Sequence, residues 1–273
     1  MSALTPVGDG FDLAKVDTSS TPGAVDRKHA EKELASRVGE LGELQEKLYA
    51  ESKFGGTRSV LLVLQAMDTA GKGGIIRHVV GGVDPQGVHL HAFKAPTDEE
   101  KAHDFLWRVR RQLPQPGIIG VFDRSHYEEV LIHRVRGFST PETIEKNYAI
   151  INDFEAEVTA SGTTIIKVML HISKDEQKAR LQERLDRPDK HWKYNPGDID
   201  ERQHWNAYMD AYGVAIARTS TDSAPWYVVP ADRKWYARLA VQHLLLDALR
   251  GFALEWPAAD FDVEAEKKRL AAS

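Results

Sequence analysis

At 273 residues with 42% apolar side chains, the chain is long enough for one large α/β domain with a substantial core. The absence of cysteine excludes a disulfide framework and any thiolate metal site, and a formal net charge of −5 argues against nucleic-acid binding as the main activity. No stretch approaches the length of a membrane span and no apolar signal core opens the chain, so the expectation is a soluble, cytoplasmic protein.

Residues 1–24 are rich in Gly, Ser, Thr, Pro and Asp and read as a loose, flexible arm. Residues 25–257 read as a single domain, and residues 258–273 as a tail carrying a short surface helix. From Ala24 to Ser52 the chain reads as a charged amphipathic helix, with Leu34, Val38, Leu41, Leu44 and Leu48 at spacings of three and four. Short apolar runs then alternate with helix-length stretches: 59–65, 88–93, 117–122, 163–170 and 226–229. That alternation predicts a parallel sheet with helices on both faces. In such sheets ligands bind beyond the carboxyl ends of the strands, so Asp68, Lys94 and Asp123 should share one crevice.

The first run leads into Ala66-Met-Asp-Thr-Ala-Gly-Lys-Gly-Gly74, a strand-to-helix loop with the character of a phosphate-binding loop. Small residues let backbone N–H groups converge on phosphate oxygens, the helix after the loop adds its positive end, and Lys72 is the lysine that reaches the phosphates. Thr69, Ala70, Gly71, Gly73 and Gly74 supply the cradle. The usual pattern G-x-x-x-x-G-K-[ST] is altered: Ala66 replaces its first glycine and Gly73 its hydroxyl residue, so the expectation is that no loop hydroxyl is available for a magnesium ion. Asp68 inside the loop is a candidate to take that role.

The third run ends in Asp123-Arg-Ser-His-Tyr127. An acid at the end of a buried strand beside a phosphate loop commonly holds Mg²⁺ or its waters, which makes Asp123 and Asp68 the metal candidates and Arg124 a candidate for the transferred phosphoryl group. The fourth run is followed by a helix start, Ser173 with Glu176 in capping-box spacing. Arg180, Arg184 and Arg187 then lie on one helical face, continued by Lys190 and Lys193 in a segment, about 174–200, that reads as a lid. Eleven histidines make no metal-ligand pattern, so no zinc site is assigned. Trp205, Tyr208 and Tyr212 at helical spacing read as core, while Phe105 and Trp107 are weaker candidates for the border of a base pocket.

These motifs, together with Phe93-Lys-Ala-Pro-Thr97, His103-Asp-Phe-Leu-Trp-Arg108, His171-Ile-Ser-Lys-Asp-Glu-Gln177 and Ala224-Pro-Trp-Tyr-Val-Val-Pro-Ala231, resemble polyphosphate kinase family 2 over about residues 28–257. The resemblance implies a three-layer α/β/α P-loop kinase fold similar to thymidylate kinase, with a helical lid. It also implies reversible phosphoryl transfer between inorganic polyphosphate and adenine or guanine nucleotides, with Mg²⁺ or alternatively Mn²⁺, in a dimer or tetramer. The versions of the motifs resemble the class III branch, whose members take both AMP and ADP. Carried over, Asp68 and Asp123 hold the metal and Lys72 the transferring phosphate. Arg124 and Arg184 contact phosphates at the reaction centre, while Lys94, Arg180, Arg187, Lys190 and Lys193 bind nucleotide phosphates or the polyphosphate chain. Two rivals share these residues: an ATP-dependent nucleoside monophosphate kinase, and a non-catalytic nucleotide-binding regulator.

Overall fold

The computed structural model describes residues 3–273. Five strands, β1 Ser59–Ala66, β2 Val88–Ala92, β3 Ile119–Asp123, β4 Thr163–His171 and β5 Trp226–Pro230, form one sheet in the order β2-β3-β1-β4-β5. Every pairing is parallel. The central strands β1, β3 and β4 are buried almost throughout, which is why they read as near-continuous apolar runs rather than alternating ones. Each lies within about two residues of the stretch expected from sequence.

Before, between and after the strands run α1 Arg27–Ser36, α2 Val38–Lys53, α3 Lys72–His78, α4 Asp98–Lys101, α5 Trp107–Arg110, α6 Ile132–Arg136, α7 Pro141–Ala160, α8 Lys174–Asp186, α9 Gly197–Gln203, α10 Trp205–Thr219, α11 Lys234–Gly251 and α12 Val263–Ala271. Helices α1, α2 and α3 pack with α11 on one side of the sheet, and α6, α7 and α10 pack together on the other. The result is a three-layer α/β/α arrangement. The chain leaves β1 toward β2 on one side of it and leaves β3 toward β4 on the other, so a crevice opens at the carboxyl ends of these two neighbours.

The single helix expected over 24–52 is two helices. Asp26 caps the first by accepting from the His29 N–H, and Arg37, at φ −93° and ψ −3°, separates it from the second. Gly39 and Gly42 follow immediately and weaken any continuous helix there. Leu41 and Leu48 remain fully buried, in keeping with the apolar spacing.

Compositional looseness at the N-terminus does not leave the described residues 3–24 without contacts. Val7 N–H donates to the Trp226 carbonyl at 2.8 Å, Leu13 is buried, and Thr18 Oγ1 donates to Asp232 Oδ2 at 2.7 Å. Residues 1 and 2 lie outside the described residues. Helix α12 buries no residue. Among the described residues no helix is long and apolar enough to cross a membrane.

Candidate active site

The loop between β1 and α3 is the floor of the site. Gly71 stands at φ 127°, a conformation that a side chain would strain, and Thr69 is held at φ 64°. This winding leaves the N–H groups of Thr69, Gly71, Lys72 and Gly73 without an acceptor among the described residues, while those of Ala70 and Gly74 close local turns on Met67 and Gly71. Free N–H groups at the head of a helix form an anion-binding concavity. Lys72 Nζ, 12% exposed, lies 3.9 Å from Asp123 Oδ1 and donates weakly to the Ala66 carbonyl at 3.5 Å.

The turn after β3 supplies the opposite wall. Arg124 takes φ 64° and donates its backbone N–H to Leu64 of β1, which fixes the two strand ends against each other. Its guanidinium sits 3.2 Å from Asp68 Oδ1 and 3.8 Å from Glu128 Oε2. Burial works against the charge on Arg124, but Glu128 and Asp68 outweigh it and hold the pKa well above the ordinary value. Lys72, Asp68, Asp123 and Arg124 are therefore brought together as the sequence suggested.

The residues that follow Arg124 are anchors. Ser125 Oγ accepts from Gln65 Nε2 at 3.1 Å, and Tyr127 OH donates to Glu155 Oε1 at 2.8 Å. His126 Nε2 lies 3.2 Å from that same oxygen, and Lys167 Nζ contacts Glu155 Oε2 at 2.5 Å and the Thr219 carbonyl at 2.6 Å. Lys167, in the middle of β4, and Glu155, on α7, are both buried. An ion pair thus lies beneath the Asp123–Arg124 turn and ties it to α7, β4 and α10.

Over the crevice, residues from α8 to α9 form a roof. Ser173 caps α8 by accepting from the Glu176 N–H at 3.1 Å, but the Glu176 carboxylate turns to Arg180 instead of closing a reciprocal box. Arg184 donates to the Lys193 carbonyl at 2.8 Å and to Asp198 at 3.2 Å. A cavity of about 250 Å³ lies between roof and floor, lined by Met67, Asp68 and Arg124, by Leu131, Ile132, Tyr208 and Tyr212, and by Glu128, Asn195, Asp198 and Glu201. Burial, reinforced by Asp68, raises the Asp198 carboxyl to about 6.

Several expected ligands stand elsewhere. Arg180 is 5% exposed, and its donors all go to protein oxygens: Glu176 Oε1 and the carbonyls of Thr69, Ala70, Ala231 and Asp232. The expectation that it presents a free guanidinium to phosphate does not match this geometry. Arg187 is paired with Glu183 and Asp189, Lys94 is exposed, and Lys193 lies over the Trp192 ring. Trp107 stacks on His103 and does not line the cavity; Tyr208 and Tyr212 do. Their helical spacing could not distinguish a core face from a pocket wall. Asp198, Glu201 and Glu128 were also missed, although Glu128 closes the Asp-Arg-Ser-His-Tyr-Glu stretch. The loop does hold a hydroxyl: Thr69 Oγ1 is buried and has no partner.

A parallel three-layer fold with this loop, lysine and acidic strand end defines a phosphate-loop kinase. Within that class the chain belongs to the Polyphosphate kinase 2 (PPK2) family, whose sequence model matches residues 24–255. It is 47% identical to an AMP/ADP-polyphosphate phosphotransferase of Meiothermus ruber over 90% of this chain and 91% of that protein. It is 42% identical to an ADP-polyphosphate phosphotransferase of Rhodopseudomonas palustris, covering 92% of this chain and 89% of that one. The crystal structure of polyphosphate kinase 2 from Arthrobacter aurescens TC1 superposes with a TM-score of 0.96 at 62% identity, over 98% of this chain and 95% of that chain.

Proposed function

We propose that this protein reversibly transfers the terminal phosphoryl group of inorganic polyphosphate to ADP and AMP. The observation that carries the reading is the convergence of unbonded loop N–H groups, Lys72 and Arg124 on one crevice flanked by Asp68 and Asp123. The loop N–H groups and Lys72 grip the transferring group, and Arg124 neutralises charge that builds on it. Arg184, on the roof, adds a second cation. The cavity wall of Met67, Leu131, Ile132, Tyr208 and Tyr212 is an apolar surface suited to an adenine or guanine base. Lys94, Arg187, Lys190 and Lys193 sit at the surface, where a longer polyanion can reach them.

The acceptor phosphate is already ionised at neutral pH, so positioning and charge neutralisation supply the rate without a strong general base. Among the described residues no group of three or more His, Asp or Glu is arranged to hold a cation alone. That suits Mg²⁺, which takes one or two carboxylates and completes its shell with water and substrate phosphates. Asp68 and Asp123 would hold it, and Mn²⁺ would be an acceptable substitute. When bound, the metal neutralises charge on the phosphates. Acceptance of both AMP and ADP is supported by the name of the Meiothermus relative. A cytoplasmic dimer or tetramer, with residues about 174–200 acting as a lid, completes the proposal.

The test supplies Mg²⁺ and either AMP or ADP, with long-chain polyphosphate or ATP as the sole donor, and follows products by chromatography. ADP and ATP formed from AMP with polyphosphate is the expected result. Turnover with ATP alone would make the protein an ordinary nucleotide kinase, and nucleotide binding without turnover would make it a regulator.

A further inference from the structure

The carbonyls of the phosphate loop have to go somewhere. A peptide that turns its N–H toward an anion turns its carbonyl away, and a buried carbonyl needs a donor. Here the carbonyls of Asp68 and Ala70, which share peptides with the free Thr69 and Gly71 N–H groups, and the Thr69 carbonyl between them are all taken by α8: Gln177 Nε2 donates to Asp68 O at 3.1 Å, and Arg180 donates to Thr69 O at 3.0 Å and to Ala70 O at 2.8 Å. Gln177 and Arg180 are one turn apart on the same face of that helix, and both are buried. The second terminal nitrogen of Arg180 donates to Ala231 O at 2.6 Å and Asp232 O at 2.9 Å, so the same side chain joins the loop to the turn after β5. Gln177 in turn accepts from Arg202 of α9 at 2.9 Å.

We infer that Arg180, assisted by Gln177, is a positioning residue that holds the phosphate loop in its anion-accepting form, and that Arg180 is not itself a phosphate ligand. A guanidinium has five N–H donors in a rigid fork, and Arg180 spends them on five protein oxygens. Moving it toward a phosphate would strip buried carbonyls of their donors. Lysine keeps the charge but cannot reproduce a planar, branched set of contacts reaching three chain segments. Thr69, at φ 64°, is the loop residue whose conformation most needs outside support, and its carbonyl is among those held. Arg184, one turn further along α8, has no bond to the loop among the described residues and is left for the cavity side. This inference rests on the polyphosphate kinase reading of the site.

The experiment compares wild type with Arg180→Lys and Gln177→Met in steady-state transfer from polyphosphate to ADP, with thermal unfolding as a check of folding. Polyphosphate binding is spread over many contacts, whereas loop geometry is felt at the transferring group, where small misplacements are costly. For Arg180→Lys we expect kcat to fall about tenfold or more while KM for polyphosphate changes less than about threefold. Wild-type kinetics in that variant overturns the inference, and so does a KM rise larger than the kcat loss, which would make Arg180 a ligand. If Arg180→Lys does not fold, Gln177→Met is judged by the same split, and an unchanged kcat there overturns it. If wild type transfers nothing from polyphosphate, the functional reading fails separately. Loop amide exchange then decides: faster exchange of the Ala70 and Gly74 amides, the two that close the loop's turns, in both variants supports the clamp, and unchanged exchange overturns it.

Discussion

Replacing Lys167 by Met tests whether the buried ion pair beneath the Asp123–Arg124 turn supports the fold. The substitution keeps an unbranched side chain one atom shorter and removes its ammonium, leaving Glu155 buried with only Tyr127 and His126 as partners. Breaking a buried pair from one side costs about 3–5 kcal/mol. With an unfolding entropy of about 2.1 cal/mol/K for each of 273 residues, that lowers Tm by about 5–9 °C. The loss has a pH signature. In wild type, burial pushes the Glu155 carboxyl up, but Lys167 and then His126 overcome this and hold it below its ordinary value. Its contribution is therefore present above the usual carboxylate range and is lost as pH falls through the lowered folded value. Without Lys167 the burial effect prevails, the native state binds a proton that the unfolded chain releases, and stability falls as pH rises. Thermal unfolding at pH 5.5 and 8.5 should show the larger deficit at pH 8.5. Lys167→Met with Glu155→Leu should recover part of it, because no unpaired buried charge remains. A deficit below about 1 kcal/mol, or one equal at both pH values, would refute the reasoning.

Lys72→Ala should reduce transfer by about 10³-fold or more without lowering Tm appreciably, since its contacts are a 3.9 Å approach to Asp123 and a long bond to Ala66; comparable activity in that variant would sink the assignment. Gly71→Ala should strain the φ 127° position by about 1–3 kcal/mol and depress activity more than stability, measured by paired kinetics and urea unfolding; wild-type kinetics would show that the loop tolerates another conformation. For Asp198 the folded value of about 6 lies above the ordinary 3.8, so the native state binds the extra proton and stability should decline as pH rises from about 4 to 6. Neutralisation below pH 6 also removes a negative charge from the cavity, so KM for polyphosphate should drop there. Asp198→Asn should abolish both pH steps, and their survival in that variant would assign them to another group.

What the sequence made legible follows from what periodicity and chain order report. An apolar run flanked by turn residues identifies a strand, and an acid just past such a run must lie at a carboxyl end, so the linear pattern alone places Asp123 and the 66–74 loop together. Spacing along a helix says which residues share a face but not what that face meets. Arg180 and Arg184 satisfy the same i, i+4 relation, yet one is consumed by the carbonyls of the loop and of the turn after β5, and the other bonds Asp198 at the cavity. The difference is set by how closely the start of α8 approaches the loop, which depends on chain segments more than 100 residues apart in sequence. Lys167 is the same lesson inside a strand. A lone cation in an otherwise apolar run reads as an interruption, and only the packing of α7 against β4 reveals Glu155 opposite it. The residues that chemistry requires at a phosphate site could therefore be read locally, while those that hold the site in shape are defined by contacts the linear pattern does not contain.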